Sequence, residues 1–125
     1  MNNKELINWL LEGDVSIQYQ VHRDLLSSER PDLQKRIESE GWGATYLSKR
    51  NAAGHWGRKF YQPKWISTHY TLLDLRNLYI PPDNPFIHET IEMIVRNEKG
   101  KDGGILPIGT IKVCDVCVNG MFLNY

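Results

Sequence analysis

Apolar positions recur at helical spacing along most of the chain. Leu6, Trp9 and Leu10 are set at i, i+3 and i+4 and stop at Gly13; Asp14 then stands where a capping side chain is needed, ahead of Ile17, Val21 and Leu25 one turn apart. These spacings predict a short helical hairpin. Pro31 suits the first turn of a third helix with Leu33 and Ile37 on one side. The pattern resumes through Ala44 and Leu47 after Gly41-Trp42-Gly43, where a bend or break is expected. After Asn51 the periodicity gives way to Gly54-His55-Trp56-Gly57 and Gln62-Pro63-Lys64-Trp65, an aromatic-rich stretch that reads as a packed connector. Ser67 or Thr68 is placed to cap a helix from Tyr70 to Tyr79 that ends before Pro81-Pro82. Asn84-Pro85 is a cap followed by proline at the first helical position, and Phe86, Ile87, Ile91, Ile94 and Val95 form the stripe of a helix ending near Gly100. A glycine-rich loop, Gly100 to Gly109, precedes a last apolar stretch from about Val113 to Tyr125. Only Ile105 to Val113 shows a period-2 run, and it is short.

The segments also repeat. Arg50-Asn51-Ala52-Ala53-Gly54 and Arg96-Asn97-Glu98-Lys99-Gly100 share R-N-x-x-G at an offset of 46, each closing an apolar-periodic helix. At the same offset His69 falls on Asp115, Thr71 on Cys117, Leu72 on Val118 and Tyr79 on Tyr125. Ser16-Ile17-Gln18-Tyr19 against Ser67-Thr68-His69-Tyr70, at an offset of 51, suggests an earlier partial copy. The expected architecture is therefore all-α: stacked antiparallel helical pairs, each burying a face only by leaning on its neighbours.

Composition narrows the function classes. The 125 residues, 41% hydrophobic and 24% charged, suit one globular domain spanning 1–125 and argue against a disordered chain. Lys and Arg total 15 and Asp and Glu total 15, with no long run of one sign, so nothing marks a nucleic-acid partner or an anionic bilayer. No stretch approaches the ~18 apolar residues of a membrane span, and the polar start MNNKELINWLLEGD is unlike a secretory signal. A cytoplasmic location is the expectation. The two cysteines, Cys114 and Cys117, form a C-x-x-C read as free thiols, too few for a structural zinc site.

Gly41-Trp42-Gly43-Ala44, Gly54-His55-Trp56-Gly57 and the run Phe60 to Tyr70 resemble the prenyltransferase and squalene-cyclase repeat family. The G-x-W-G after a helix looks like that family's QW repeat, in which a Gln stacks on a Trp; here Arg50 holds the Gln position, and its guanidinium can stack on an aromatic face in the same way. The resemblance implies an α/α toroid around a central apolar cavity. Such toroids close with about six helical pairs, whereas this chain supplies about two and a half, so the resemblance implies the N-terminal part of a toroid: either a truncated relative or a partial toroid whose open edge another chain covers, with association of two copies favoured.

The same resemblance singles out Asp115 and Cys117. Protein prenyltransferases bind catalytic zinc through an Asp and a Cys spaced D-x-C, completed by a His; here His69, His55 or His88 would complete it. On the residues alone, Asp115 reads as the cap of the last helix, Cys117 as a small buried side chain and Cys114 as incidental. The residues by themselves call for no cofactor; zinc is the one that the resemblance implies. His69 and Tyr70 are placed to face the cavity, and Trp56, Phe60, Tyr61 and Trp65 to line a pocket for an apolar, isoprenoid-like molecule; alternatively these rings pack the connector and His69 bonds a nearby carbonyl. His22 and Asp24 read as a solvated helix side. Neither D-x-D-D nor D-D-x-x-D occurs, the Asp102-Gly103-Gly104 loop lacks the Gly-Lys-Ser/Thr of a phosphate loop, and no Ser–His–Asp order is present. Two functions follow: a noncatalytic repeat module that self-associates or binds a partner or apolar ligand through its inner face, or a prenyltransferase-like enzyme with zinc completed across an interface.

Overall fold

A computed structural model describes residues 2–125. The chain is mostly helical, and among the described residues there is no strand; the period-2 run contributes only an isolated antiparallel bridge between Lys99 and Ile105. The residues gather into two compact units, residues 1–48 with 78–81, and residues 49–77 with 82–125.

In the first unit, α1 (Asn3–Leu11) opens on a reciprocal cap. The Asn2 side chain accepts from the Glu5 backbone N–H at 2.9 Å, while the Glu5 carboxylate accepts from the Asn2 N–H at 2.8 Å. Asp14 caps α2 (Val15–Gln20) as its spacing predicts, one carboxylate oxygen accepting from the Ser16 N–H at 2.9 Å. Its other oxygen accepts from the Trp42 N–H at 2.9 Å, at the head of α4 (Gly41–Ser48). One carboxylate thus serves two helix starts. Gly41 is required for this: its φ is +60°, and a Cβ there would run into that same carboxylate. The glycine pair is therefore a helix start rather than a bend. Pro31 begins α3 (Pro31–Arg36) as expected. Helices α1, α3 and α4 all pack on α2, burying Val15, Val21, Leu33, Ile37 and Leu47.

Two features of this unit depart from the spacing. Val21–Leu25 is π-helical rather than α-helical, closed by the Leu26 N–H bonding the Val21 carbonyl at 3.1 Å. Periodicity marks an apolar stripe but not how far a neighbour reaches along it: Leu6, Trp9, Ile17 and Leu25 remain exposed. Asp24 is solvated as expected, but His22 is half-buried, with Nδ1 buried and unpartnered.

The second unit holds α5 (Thr68–Asn77), α6 (Pro85–Asn97) and α7 (Val116–Phe122). Asn84 and Asp115 cap α6 and α7 through their side chains, Asn84 on the Phe86 and Ile87 N–H groups and Asp115 on Val118. Helix α5 starts two residues before the predicted Tyr70, because the Ser67 carbonyl already accepts from the Thr71 N–H at 3.0 Å. The core joins Leu72, Leu75, Ile87, Ile94 and Val118 to loop residues Trp56, Phe60 and Ile105. Trp56 and Phe60 are only 2% and 1% exposed, so the aromatic connector supplies core as well as linkage; each such ring contributes about 1.5–3 kcal/mol of burial or more.

Candidate functional site

The residues expected to carry chemistry lie in the second unit, around the start of α5. The loop leading to it is built on Asn51. The Asn51 side-chain oxygen accepts from the Ala53 and His55 N–H groups at 3.0 and 3.1 Å, and its amide donates to the Gly57 carbonyl at 2.9 Å. The turn passes through Gly54 at φ +81°. Arg50 does stack on an aromatic ring, but the ring is Phe86: the guanidinium carbon lies 5.0 Å from its centroid, Nε donates to the Thr90 hydroxyl at 3.0 Å, and Nη1 pairs with Glu89.

Thr68 ties this loop to the helix. Its hydroxyl donates to the Trp56 carbonyl at 3.0 Å and accepts from the Trp56 N–H at 3.1 Å, and it lies 2.9 Å from His55 Nδ1. Since the hydroxyl hydrogen is committed to the carbonyl, His55 Nδ1 is the donor of that pair and Nε2 keeps its lone pair.

His69, fully buried, sits among rings. Phe60, Tyr61, Tyr70 and Tyr125 all place their centroids 5.1 to 5.7 Å from the imidazole. Nδ1 is 2.7 Å from the Tyr125 hydroxyl, and Nε2 is buried with no hydrogen-bond partner in either tautomer. Burial pushes the imidazole down to about 4, so it is neutral at pH 7, and burial likewise raises the Tyr125 phenol. Tyr61 bonds the Tyr70 hydroxyl at 3.0 Å, which with desolvation and the charges of Tyr70, Asp115 and Cys117 lifts it to about 12. Trp65, in contrast, is 68% exposed, its ring 4.9 Å from that of Tyr70. Trp56, Tyr61, Trp65, His69 and Tyr70 are thus brought into one neighbourhood, where Tyr61, His69 and Tyr70 contact one another and Trp65 contacts Tyr70.

Asp115 and Cys117 do not join His69 in a metal-binding set. Catalytic zinc takes three protein ligands, and among the described residues no three His, Cys, Asp or Glu side chains are grouped to hold an ion. The Asp115 carboxylate accepts from the Val118 N–H at 2.8 Å, Cys117 is exposed, and His69 is enclosed by rings. His55 binds Thr68 through Nδ1 and His88 is exposed on α6, and neither is grouped with Asp115 and Cys117 among the described residues. Cys114 donates its backbone N–H to Asp102 at 2.7 Å, and the same carboxylate raises its thiol. The donors within one chain do not fit zinc.

The spacing of motifs passes over Asn51, Asp102 and Asn119, which hold the two loops in place. For Asn51 the signal was present in the R-N-x-x-G repeat itself; Asp102 and Asn119 act across 12 and 14 residues and leave no local mark. Compared with protein-family models, with curated proteins and with solved structures, this chain finds no match.

Proposed function

We propose that this chain is a noncatalytic helical-repeat module, part of an incomplete α/α toroid of the prenyltransferase and squalene-cyclase kind, that self-associates through the uncovered face of its last helix. The observation carrying this reading is a difference between repeat-equivalent positions. His69 and Thr71 on α5 are 0% and 4% exposed, whereas Asp115 and Cys117, which fall 46 residues later, are exposed at and beside α7. Leu72 and its equivalent Val118 are both buried, so α7 is covered on one side, while side chains on its other side stay exposed. Val116 and Leu123, 85% and 84% exposed, are apolar side chains that a second copy would cover.

The enzyme reading has less support, because Asp115 is engaged as a helix cap and a zinc would have to draw its remaining ligands from another chain. An apolar ligand among the rings is also less favoured, since Tyr61, His69 and Tyr70 already fill one another's contact distance.

Light scattering on size-exclusion fractions tests the proposal. A dimer at micromolar concentration that becomes a folded monomer on Val116→Asp with Leu123→Asp is the expected result. Both positions are exposed, so the substitutions spare the monomer fold. A wild-type chain that stays monomeric and folded up to ~100 μM, an affinity weaker than about 5.5 kcal/mol, overturns it.

A further inference from the structure

Next to the His69 cluster, within the same unit, lies an open cleft of about 500 Å³, inside the range of roughly 300–1,000 Å³ typical of small-molecule sites. The 55–62 loop lines it with His55, Arg58, Lys59 and Gln62, and residues 98–110 line it with Glu98 and the stretch from Pro107 to Thr110. Phe60, Pro107 and Ile108 supply its apolar surface.

The charges in this cleft are unbalanced. Arg23, Arg30, Arg36 and Arg50 are each in a salt bridge, whereas among the described residues Arg58 and Lys59 make none. These two stand on a fixed turn: both backbone N–H groups donate to the Gln62 carbonyl, at 3.0 and 3.1 Å. The facing acid, Glu98, is partly desolvated, which raises its carboxyl while the Lys59 charge opposes that shift. Burial first and the Arg50 charge second push the His55 imidazole down, and with Nδ1 donating to Thr68 its Nε2 keeps a lone pair. The lining therefore carries two cations, one carboxyl group and one bare nitrogen acceptor.

We propose that this cleft binds a small organic oxyanion bearing a hydroxyl group, with Arg58 and Lys59 taking the carboxylate or phosphate oxygens and His55 Nε2 accepting from the hydroxyl. Adjacent cations can hold an oxyanion by charge-assisted bonds, which are the stronger class of hydrogen bond. A nitrogen acceptor beside them favours an oxyanion whose carbon skeleton also brings an alcohol donor. Pro107 and Ile108 would cover the carbon skeleton.

Titration of the full chain, followed by amide NMR and calorimetry at about 150 mM salt to suppress loose ionic attraction, tests this. The probes are citrate, tricarballylate, which is citrate without its hydroxyl, glycerol 3-phosphate and methyl phosphate, which has the phosphate without the alcohol hydroxyls. Citrate or glycerol 3-phosphate is expected to shift the amides of residues 55–62 and 107–110, and the tighter of the two identifies the oxyanion. Arg58→Gln with Lys59→Gln, both exposed and so neutral to folding, is expected to weaken binding about tenfold or more. Tricarballylate is expected to bind several-fold more weakly than citrate where the carboxylate arm binds, and methyl phosphate more weakly than glycerol 3-phosphate where the phosphate arm does. No shift with any probe at about 10 mM, or shifts unchanged in the double variant, overturns the proposal. Equal affinity with and without the hydroxyl overturns it as well.

Discussion

The two R-N-x-x-G junctions of the second unit start from one sequence signature and end in different structures. At the first, Asn51 folds the loop on itself, Thr68 clamps Trp56 to the head of α5, and the helix start is buried. At the second, Glu98 and Gly100 begin a hairpin with Leu106 and Gly104, and the ties come from further away. Asp102 accepts from Cys114, and Asn119 both accepts from the Ile105 N–H and donates to its carbonyl. The head of α7 remains open. A repeated motif thus reproduces helix–loop–helix order, while burial depends on whether a tryptophan follows the glycine and fills the space behind the loop.

The largest expected contrast comes from that tryptophan. Trp56→Ala should destabilise the chain by about 3–5 kcal/mol by leaving a cavity where the buried indole sits, whereas Val116→Ala at the open junction should change stability by less than about 0.5 kcal/mol. Thermal or urea unfolding measures both, and similar losses at the two positions would erase the distinction between a sealed and an open helix start.

Next comes the pH dependence of the sealed junction. His69 titrates near 4 when folded against an ordinary value of 6.5, so the unfolded chain binds the extra proton between these values. Its contribution is complete above about pH 6.5 and is lost as pH falls towards 4, by up to roughly 3 kcal/mol. The neighbouring Tyr61 phenol titrates at about 12 and Tyr125 higher still, so neither contributes in that window. His69→Phe should flatten the stability profile between pH 4 and 6.5 relative to wild type; an unaltered profile would mean that His69 is reached by solvent.

The smallest effect is expected at the head of α7. Asp115→Ala should cost about 1 kcal/mol through the lost cap, and Asp115→Asn should restore most of it, because an amide oxygen also accepts from the Val118 N–H. A much larger loss, unrescued by Asn, would show that the carboxylate does more than cap.

Much of the secondary structure was legible. Asp14, Pro31, Asn84-Pro85 and Asp115 each marked a helix start, because capping is a contact between residues two or three apart. The site was legible only as a neighbourhood. Spacing gathered His69, Tyr70, Tyr61 and Trp65 at one helix start, but it could not tell that Trp56 is sealed in the core while Trp65 is exposed, since both follow the same loop chemistry. Nor could it place Arg50 over Phe86, a contact between residues 36 apart in the chain.

What the residues determined by themselves is the helical character of the chain, its caps and breaks, and the doubled helix–loop–helix order, all of which rest on interactions within a turn or two. Only the tertiary structure decided which faces of those helices are covered, which histidines are desolvated, and where two unpaired cations meet a cleft. Those outcomes depend on desolvation by side chains distant in sequence, and periodicity carries no record of them.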